Sequence, residues 1–172
     1  MNQYCGFWLN LDSESERASE MKASFEKLKI ESFYERISGV YGEPHEASIR
    51  GLKPGEWGAW QGWLRLLENA ANSEALFVHL LEDDTCLSDA LPLLLSSPKL
   101  PLILQQYLWC CTDGYILPKQ ARAIRNRLKN KPICDWQFLV DGLKVPCLNS
   151  VLLTPQSAKH LLRRLIDHIA IE

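Results

Sequence analysis

Residues 75–84, Ala-Leu-Phe-Val-His-Leu-Leu-Glu-Asp-Asp, constrain this chain more than any other stretch. From Ala75 to Leu81 the run is apolar except for His79, and it stops abruptly at Glu82-Asp83-Asp84. A near-continuous apolar run of this length reads as a strand buried on both faces, in the middle of a sheet covered by helices. Its carboxyl end then releases into an acidic loop. Open α/β sheets bind their ligands outside the carboxyl ends of the strands. Three carboxylates gathered there repel one another unless a cation sits among them, and an oxygen-rich group of this kind suits Mg2+ or Mn2+. The plainer interpretation is an acidic loop that caps the next helix, since helix N-termini attract acids.

The flanking sequence alternates in the same style. Tyr4 to Leu11 reads as a buried first strand, followed by a helix capped by Asp12 or Ser13 with Met21, Phe25 and Leu28 on its apolar stripe. Ile30 to Val40 holds a second, shorter strand, and Gly42 to Glu46 reads as a loop. Pro54-Gly55-Glu56 opens a helix carrying Trp57, Trp60, Leu64 and Leu67, with Trp63 close to that face. Beyond the acidic loop the pattern predicts a helix with Leu87, Leu91, Leu94 and Leu95, then a strand over Leu100–Tyr107. It continues with a short extended piece at Gly114–Leu117, a helix over 119–131, a last strand over Val145–Leu153 and a closing helix from Pro155 to Ile169. Strands alternating with helices predict an α/β fold with a mostly parallel central sheet flanked by helices.

At 172 residues the chain suits one domain, and 47% apolar against 23% charged residues is enough to build a core. That balance excludes intrinsic disorder, and a net charge of -2 disfavours binding nucleic acid through bulk positive charge. None of the six cysteines stands in a C-x-x-C pair, and the adjacent Cys110-Cys111 cannot form an ordinary zinc knuckle. The beginning carries neither a basic leader nor a long apolar core. The expectation is a cytoplasmic protein with reduced, mostly buried cysteines.

Several motifs, taken in order, resemble glycosyltransferase family 25, the group of lipopolysaccharide-type and procollagen-type sugar transferases. Leu9-Asn10-Leu11-Asp12, followed by Arg17 and Met21, is similar to the family's opening strand into Asn-Leu-Asp and its helix bearing an Arg. Gly39-Val40-Tyr41-Gly42 looks like its Ala-x-x-Gly turn. Leu52-Lys53-Pro54-Gly55-Glu56-Trp57-Gly58 resembles its Gly-Glu-x-Gly helix start, and Leu81-Glu82-Asp83-Asp84 falls at its Leu-Glu-Asp-Asp metal motif. Further on, Gly114-Tyr115-Ile116-Leu117 looks like a Gly-Tyr-Ile-Ile-Ser strand, and Pro132-Ile133-Cys134-Asp135 like a Pro-Val-Asp motif. An alternative alignment sets Val151 to Thr154 on the former motif and Asp167 on the latter. Two departures stand out. Gly62-Trp63 replaces the family's Ser-His, and the span between Asp84 and Tyr115 is short for the family.

The resemblance implies a compact, single glycosyltransferase-like domain over residues 1–172 with a GT-A type of fold, its 1–84 half binding nucleotide and metal and its 85–172 half facing the acceptor. It implies a nucleoside diphosphate sugar donor, a Mn2+ or Mg2+ cofactor and a glycan or lipid-linked glycan acceptor of the lipopolysaccharide type, with galactose or glucose transferred. Asn10, Leu11, Asp12, Arg17, Glu82 and Asp83 would lie at the nucleotide, and Glu82 and Asp84 at the metal. Asp135 would be the base that deprotonates the acceptor. Trp63 and Tyr115 would be weaker acceptor contacts. The rival expectation is a non-catalytic nucleotide- or partner-binding module of the same fold.

Other features read more plainly. The three tryptophans at spacing three read first as core packing and only second as sugar-stacking surfaces. The basic residues over 119–131 read first as a solvated helix face, and second as a contact with an anionic membrane surface at the inner face of the membrane. His79 reads as a core histidine, on the same strand face as Leu81.

Overall fold

A computed structural model describes residues 3–106, 110–115 and 147–169 of the chain. The expected helix over 119–131, its basic residues, Ile116-Leu117 and the Pro132–Asp135 motif lie outside the described residues. Strand β1 (Tyr4–Asn10) leads into helix α1 (Ser15–Leu28), a 3-10 turn (Glu31–Phe33) and strand β2 (Tyr34–Ser38). Helices α2 (Pro44–Ile49) and α3 (Pro54–Ala71) precede β3 (Phe77–Glu82). Short helices α4 (Leu91–Leu95) and α5 (Leu100–Gln106) come next, then β4 (Cys110–Tyr115), β5 (Cys147–Leu153) and helix α6 (Pro155–Ile169).

The strands form one sheet in the order β2-β1-β3-β5-β4. β1 is parallel to both β2 and β3, whereas β5 is antiparallel to β3 and to β4. The fold is thus α/β as expected, but the sheet is mixed rather than mostly parallel. An apolar run such as Val151-Leu152-Leu153 is buried equally well in either direction, so periodicity carries no strand polarity.

Alternation along the strands divides the core between two faces. Tyr4, Trp8, Phe77, Leu81 and Leu152 meet α1, α4 and α5 on one side. Phe7, Leu9, Val78, Leu80, Val151 and Leu153 meet α3 and α6 on the other. On the first face the rings of Tyr4, Phe33, Tyr34, Phe25 and Trp8 pack edge to face or stacked along the sheet.

Three local expectations are corrected. Leu100–Tyr107 is not a strand: Pro101 sits in the first turn, and Leu100 and Leu104, four apart, are buried while Leu102 is exposed, which makes α5. Gly42–Glu46 is not all loop. The Glu43 carboxylate accepts from the Glu46 backbone N–H at 2.9 Å, Pro44 occupies the first turn, and α2 begins there. Of the tryptophans only Trp63 packs against the core on the sheet-facing side of α3. Gly58, Gly62, Leu66 and Ala70 are its buried positions at spacing four, while Trp57 turns to α2, donating to Glu46 at 2.9 Å beneath the Arg50 guanidinium. Among the described residues no helix is long and apolar enough to cross a membrane.

Candidate functional site

The chain reverses its winding at β1. From β1 it crosses through α1 on one face of the sheet to β2, then returns through α3 on the other face to β3, on the far side of β1. The connections leaving β1 and β2 therefore pass to opposite faces of the sheet, a topological switch point at whose strand carboxyl ends sheets of this kind leave a crevice. A cleft of about 470 Å³ lies there. Its walls come from four stretches far apart in sequence: Leu9–Leu11 with Glu14 and Arg17, Gly39–Gly42, the start of α3 at Pro54–Ala59, and Glu82-Asp83.

Two glycines let the walls close. A Cβ on Gly42 would lie 1.8 Å from the Pro54 carbonyl oxygen, and one on Gly58 would lie 2.3 Å from the Val40 carbonyl oxygen. The loop after β2 and the first turns of α3 touch backbone to backbone, which any side chain would prevent.

The corner of β1 is held by a polar network. Arg36 of β2 donates to Asn10 through Nε at 2.8 Å, to the Asn10 carbonyl at 3.1 Å and to Asp12 at 2.6 Å. A guanidinium only donates, so it fixes the Asn10 amide with Oδ1 towards Arg36 and Nδ2 away from it. Nδ2 then donates to Asp83 at 2.7 Å and to the Glu14 carbonyl at 3.0 Å. Arg17 adds a longer contact to the other Asp83 oxygen at 3.4 Å. Arg36 and then the Ser38 hydroxyl hold the Asp12 carboxyl below the usual carboxylate range.

The acidic turn points its three side chains in different directions. Glu82, still on β3, accepts a hydrogen bond from the Trp63 indole N–H of α3. Burial pushes its carboxyl above the ordinary value; the indole opposes this, and the charges of Asp84 and Asp83 add to it. Asp83 faces Asn10 and Arg17. Asp84 accepts from Asn149 Nδ2 at 3.1 Å, and Thr85 ties the turn to β5 by donating to the Asn149 carbonyl at 2.8 Å.

The structure thus brings Asn10, Leu11, Arg17, Glu82 and Asp83 together in one cleft. Asn10 itself is 2% exposed with both amide hydrogens donated within the protein, so it acts as a strut between β1 and the acidic turn. Asp12, Asp84 and Trp63 stand outside the lining, although Trp63 and Asp84 both act on Glu82. Tyr115 is the last residue of β4, paired with Cys147. Asp135 lies outside the described residues. Sequence reasoning missed Arg36, Asn149 and Thr85. Arg36 had one signal: a lone arginine two residues after Tyr34, on the face that Tyr34 turns to the core.

Among the described residues no group of three or more His, Cys, Asp or Glu is arranged to hold a metal ion. A cation bridging phosphates needs only one or two protein carboxylates. Burial first, and the charges of Asp84 and Asp83 after it, raise the Glu82 carboxyl, and carboxylate oxygens are the donor type that a hard divalent ion takes. The fold and site define an α/β protein with an acid-lined cleft at the switch point of its parallel half. Comparison with models of protein families gives no match, and a search of curated proteins gives none.

Proposed function

We propose that the cleft binds a nucleoside diphosphate sugar together with Mn2+ or Mg2+, and that the protein is a hexosyltransferase. The observation that carries this reading is that residues from four separated motifs, Asn-Leu-Asp, Gly-Val-Tyr-Gly, Pro-Gly-Glu-Trp-Gly and Leu-Glu-Asp-Asp, line one switch-point cleft. These are the motifs on which the chain resembles family 25. The reading carries with it a GT-A type of fold, supported by the β2-β1-β3 half and its crevice.

The charge of the cleft bears on the ligand. Glu14, Glu82 and Asp83 face one arginine, Arg17, so a bare diphosphate would be repelled. Glu82 and Asp84 are the residues to hold a divalent ion, which offsets the charge of the departing diphosphate when bound. Arg17 would meet a phosphate oxygen, and the Leu11 backbone would stand beside the nucleoside. In the transfer, the acceptor hydroxyl oxygen bonds to the anomeric carbon as the bond to diphosphate breaks. Its proton passes to a carboxylate, for which Asp135 is the candidate. The sugar is galactose or glucose, and the acceptor a surface glycan or lipid-linked glycan of the lipopolysaccharide type. The protein would work in the cytoplasm.

One observation favours a second reading, a nucleotide-binding module without turnover. Trp63 stands where the family has His, and its indole engages Glu82. Titration of UDP, GDP and ADP with and without Mn2+, repeated with Asp84→Asn, tests the shared part. Binding should need Mn2+ and weaken about tenfold or more in the variant. Equal binding in both proteins would overturn the metal assignment. Release of nucleoside diphosphate from the sugar donor separates the enzyme from the module.

A further inference from the structure

The cleft has a charged end and an apolar side. Arg17, Glu82 and Asp83 form the first, and Leu11, Val40 and Tyr41 belong to the second. Tyr41 is unusual among the large apolar residues of the described chain. It is 64% exposed, and unlike the other exposed ones it lines the cleft. A tyrosine ring left open to water inside a concave site is surface that a ligand can cover.

The ring is also held in place. Its hydroxyl donates to the Ser13 hydroxyl, so Tyr41 bridges the loop after β2 to the loop between β1 and α1. Its own loop cannot drift, because the adjacent Gly42 is in backbone contact with Pro54 and Gly58 of α3. An exposed ring anchored at both ends loses little freedom when something packs on it.

We infer that Tyr41 is a stacking platform for the nucleobase of the ligand, a specificity element that separates nucleoside diphosphates from inorganic diphosphate. This rests on the nucleotide reading of the cleft. A planar base on the ring, with its diphosphate at the Arg17–Asp83 end, uses both halves of the cleft at once. Stacking tolerates any base, since each presents a π-face. The platform therefore favours nucleotides as a class, and the choice among bases falls to other contacts.

The test compares two probes on the full chain, each with Mn2+: the tightest binder among UDP, GDP and ADP, and inorganic pyrophosphate. Tyr41→Ala should weaken the nucleoside diphosphate about 5- to 100-fold while pyrophosphate binding moves less than about twofold. Tyr41→Trp should restore nucleotide affinity, and Tyr41→Phe, which keeps the ring and loses the Ser13 bond, should weaken it less than Tyr41→Ala does. Equal weakening of both probes, or unchanged nucleotide affinity in Tyr41→Ala, would overturn the platform and leave the nucleotide reading standing. Failure of wild type to bind any probe would remove that reading and the platform with it.

Discussion

Burial and the Trp63 indole act in opposite directions on the ionisation of Glu82, and on the proposed reading they bear on the pH at which the cleft would hold a cation. Burial raises the Glu82 carboxyl, and the indole N–H favours its charged form. Cation-dependent nucleotide binding should therefore fail on acidification at a pH above the ordinary glutamate range. Removing the indole donor with Trp63→Phe should move that midpoint to still higher pH, read from binding titrations between pH 5 and 8. An unmoved midpoint would show that the indole does not govern Glu82. His79 supplies a second pH effect, on stability. It is fully buried between the Tyr34 hydroxyl and the Ser150 hydroxyl, 2.7 Å from each, and burial lowers its pKa to about 3. The unfolded histidine takes a proton near pH 6.5 and the folded one does not. Stability contributed by the neutral form is whole above pH 6.5 and is lost as pH falls towards 3. Between pH 6.5 and 4.5 the loss from His79 is about 2–3 kcal/mol. The wild-type advantage over His79→Gln in urea unfolding should shrink by that amount, and a pH-independent difference would contradict it. His79 was legible as a core residue from its apolar neighbours. Arg36 and Asn149 were not legible as parts of the site, because their roles depend on which strands lie side by side, and sequence order does not give that.

Among the elements, β1, β3, α1, α3 and α6 could be read from the sequence because each has a long run with one dominant period. α5 could not, since Leu100, Leu102 and Leu104 satisfy a strand spacing as well as Leu100 and Leu104 satisfy a helical one. The buried stripe of α3 was hidden for a different reason. Reading by large apolar residues selects the tryptophans, whereas close approach to β1 needs the smallest residues, and Gly62 sits against Leu9, where a Cβ would lie 2.4 Å from a methyl. Gly58 makes a sharper test, because its neighbours are backbone and cannot rotate away. Gly58→Ala should cost about 1–3 kcal/mol in urea unfolding and weaken whatever binds the cleft. Gly55→Ala, with nothing near its Cβ, should leave stability unchanged or raise it by up to about 1 kcal/mol. Equal effects from both substitutions would mean that the contact between the Gly39–Gly42 loop and α3 does not hold the cleft shut.

At the scale of the molecule, the layered α/β architecture followed from alternating strands and helices, and the acidic end of β3 pointed to a site at the strand carboxyl ends. The mixed sheet did not follow, because burial makes parallel and antiparallel strands look alike in sequence. That correction leaves the site where it was, since the parallel trio β2-β1-β3 alone creates the switch point. The antiparallel β5 adds a support the sequence did not reveal, with Asn149 holding Asp84 and Thr85 beside the acidic turn. The most direct test is a crystal structure of the full chain grown with Mn2+ and the best-binding nucleoside diphosphate. The diphosphate and metal should sit between the carboxyl ends of β1 and β3, within reach of Arg17, Glu82 and Asp84, with the base beside Tyr41. A nucleotide bound on another face, with this cleft holding only water, would contradict the account.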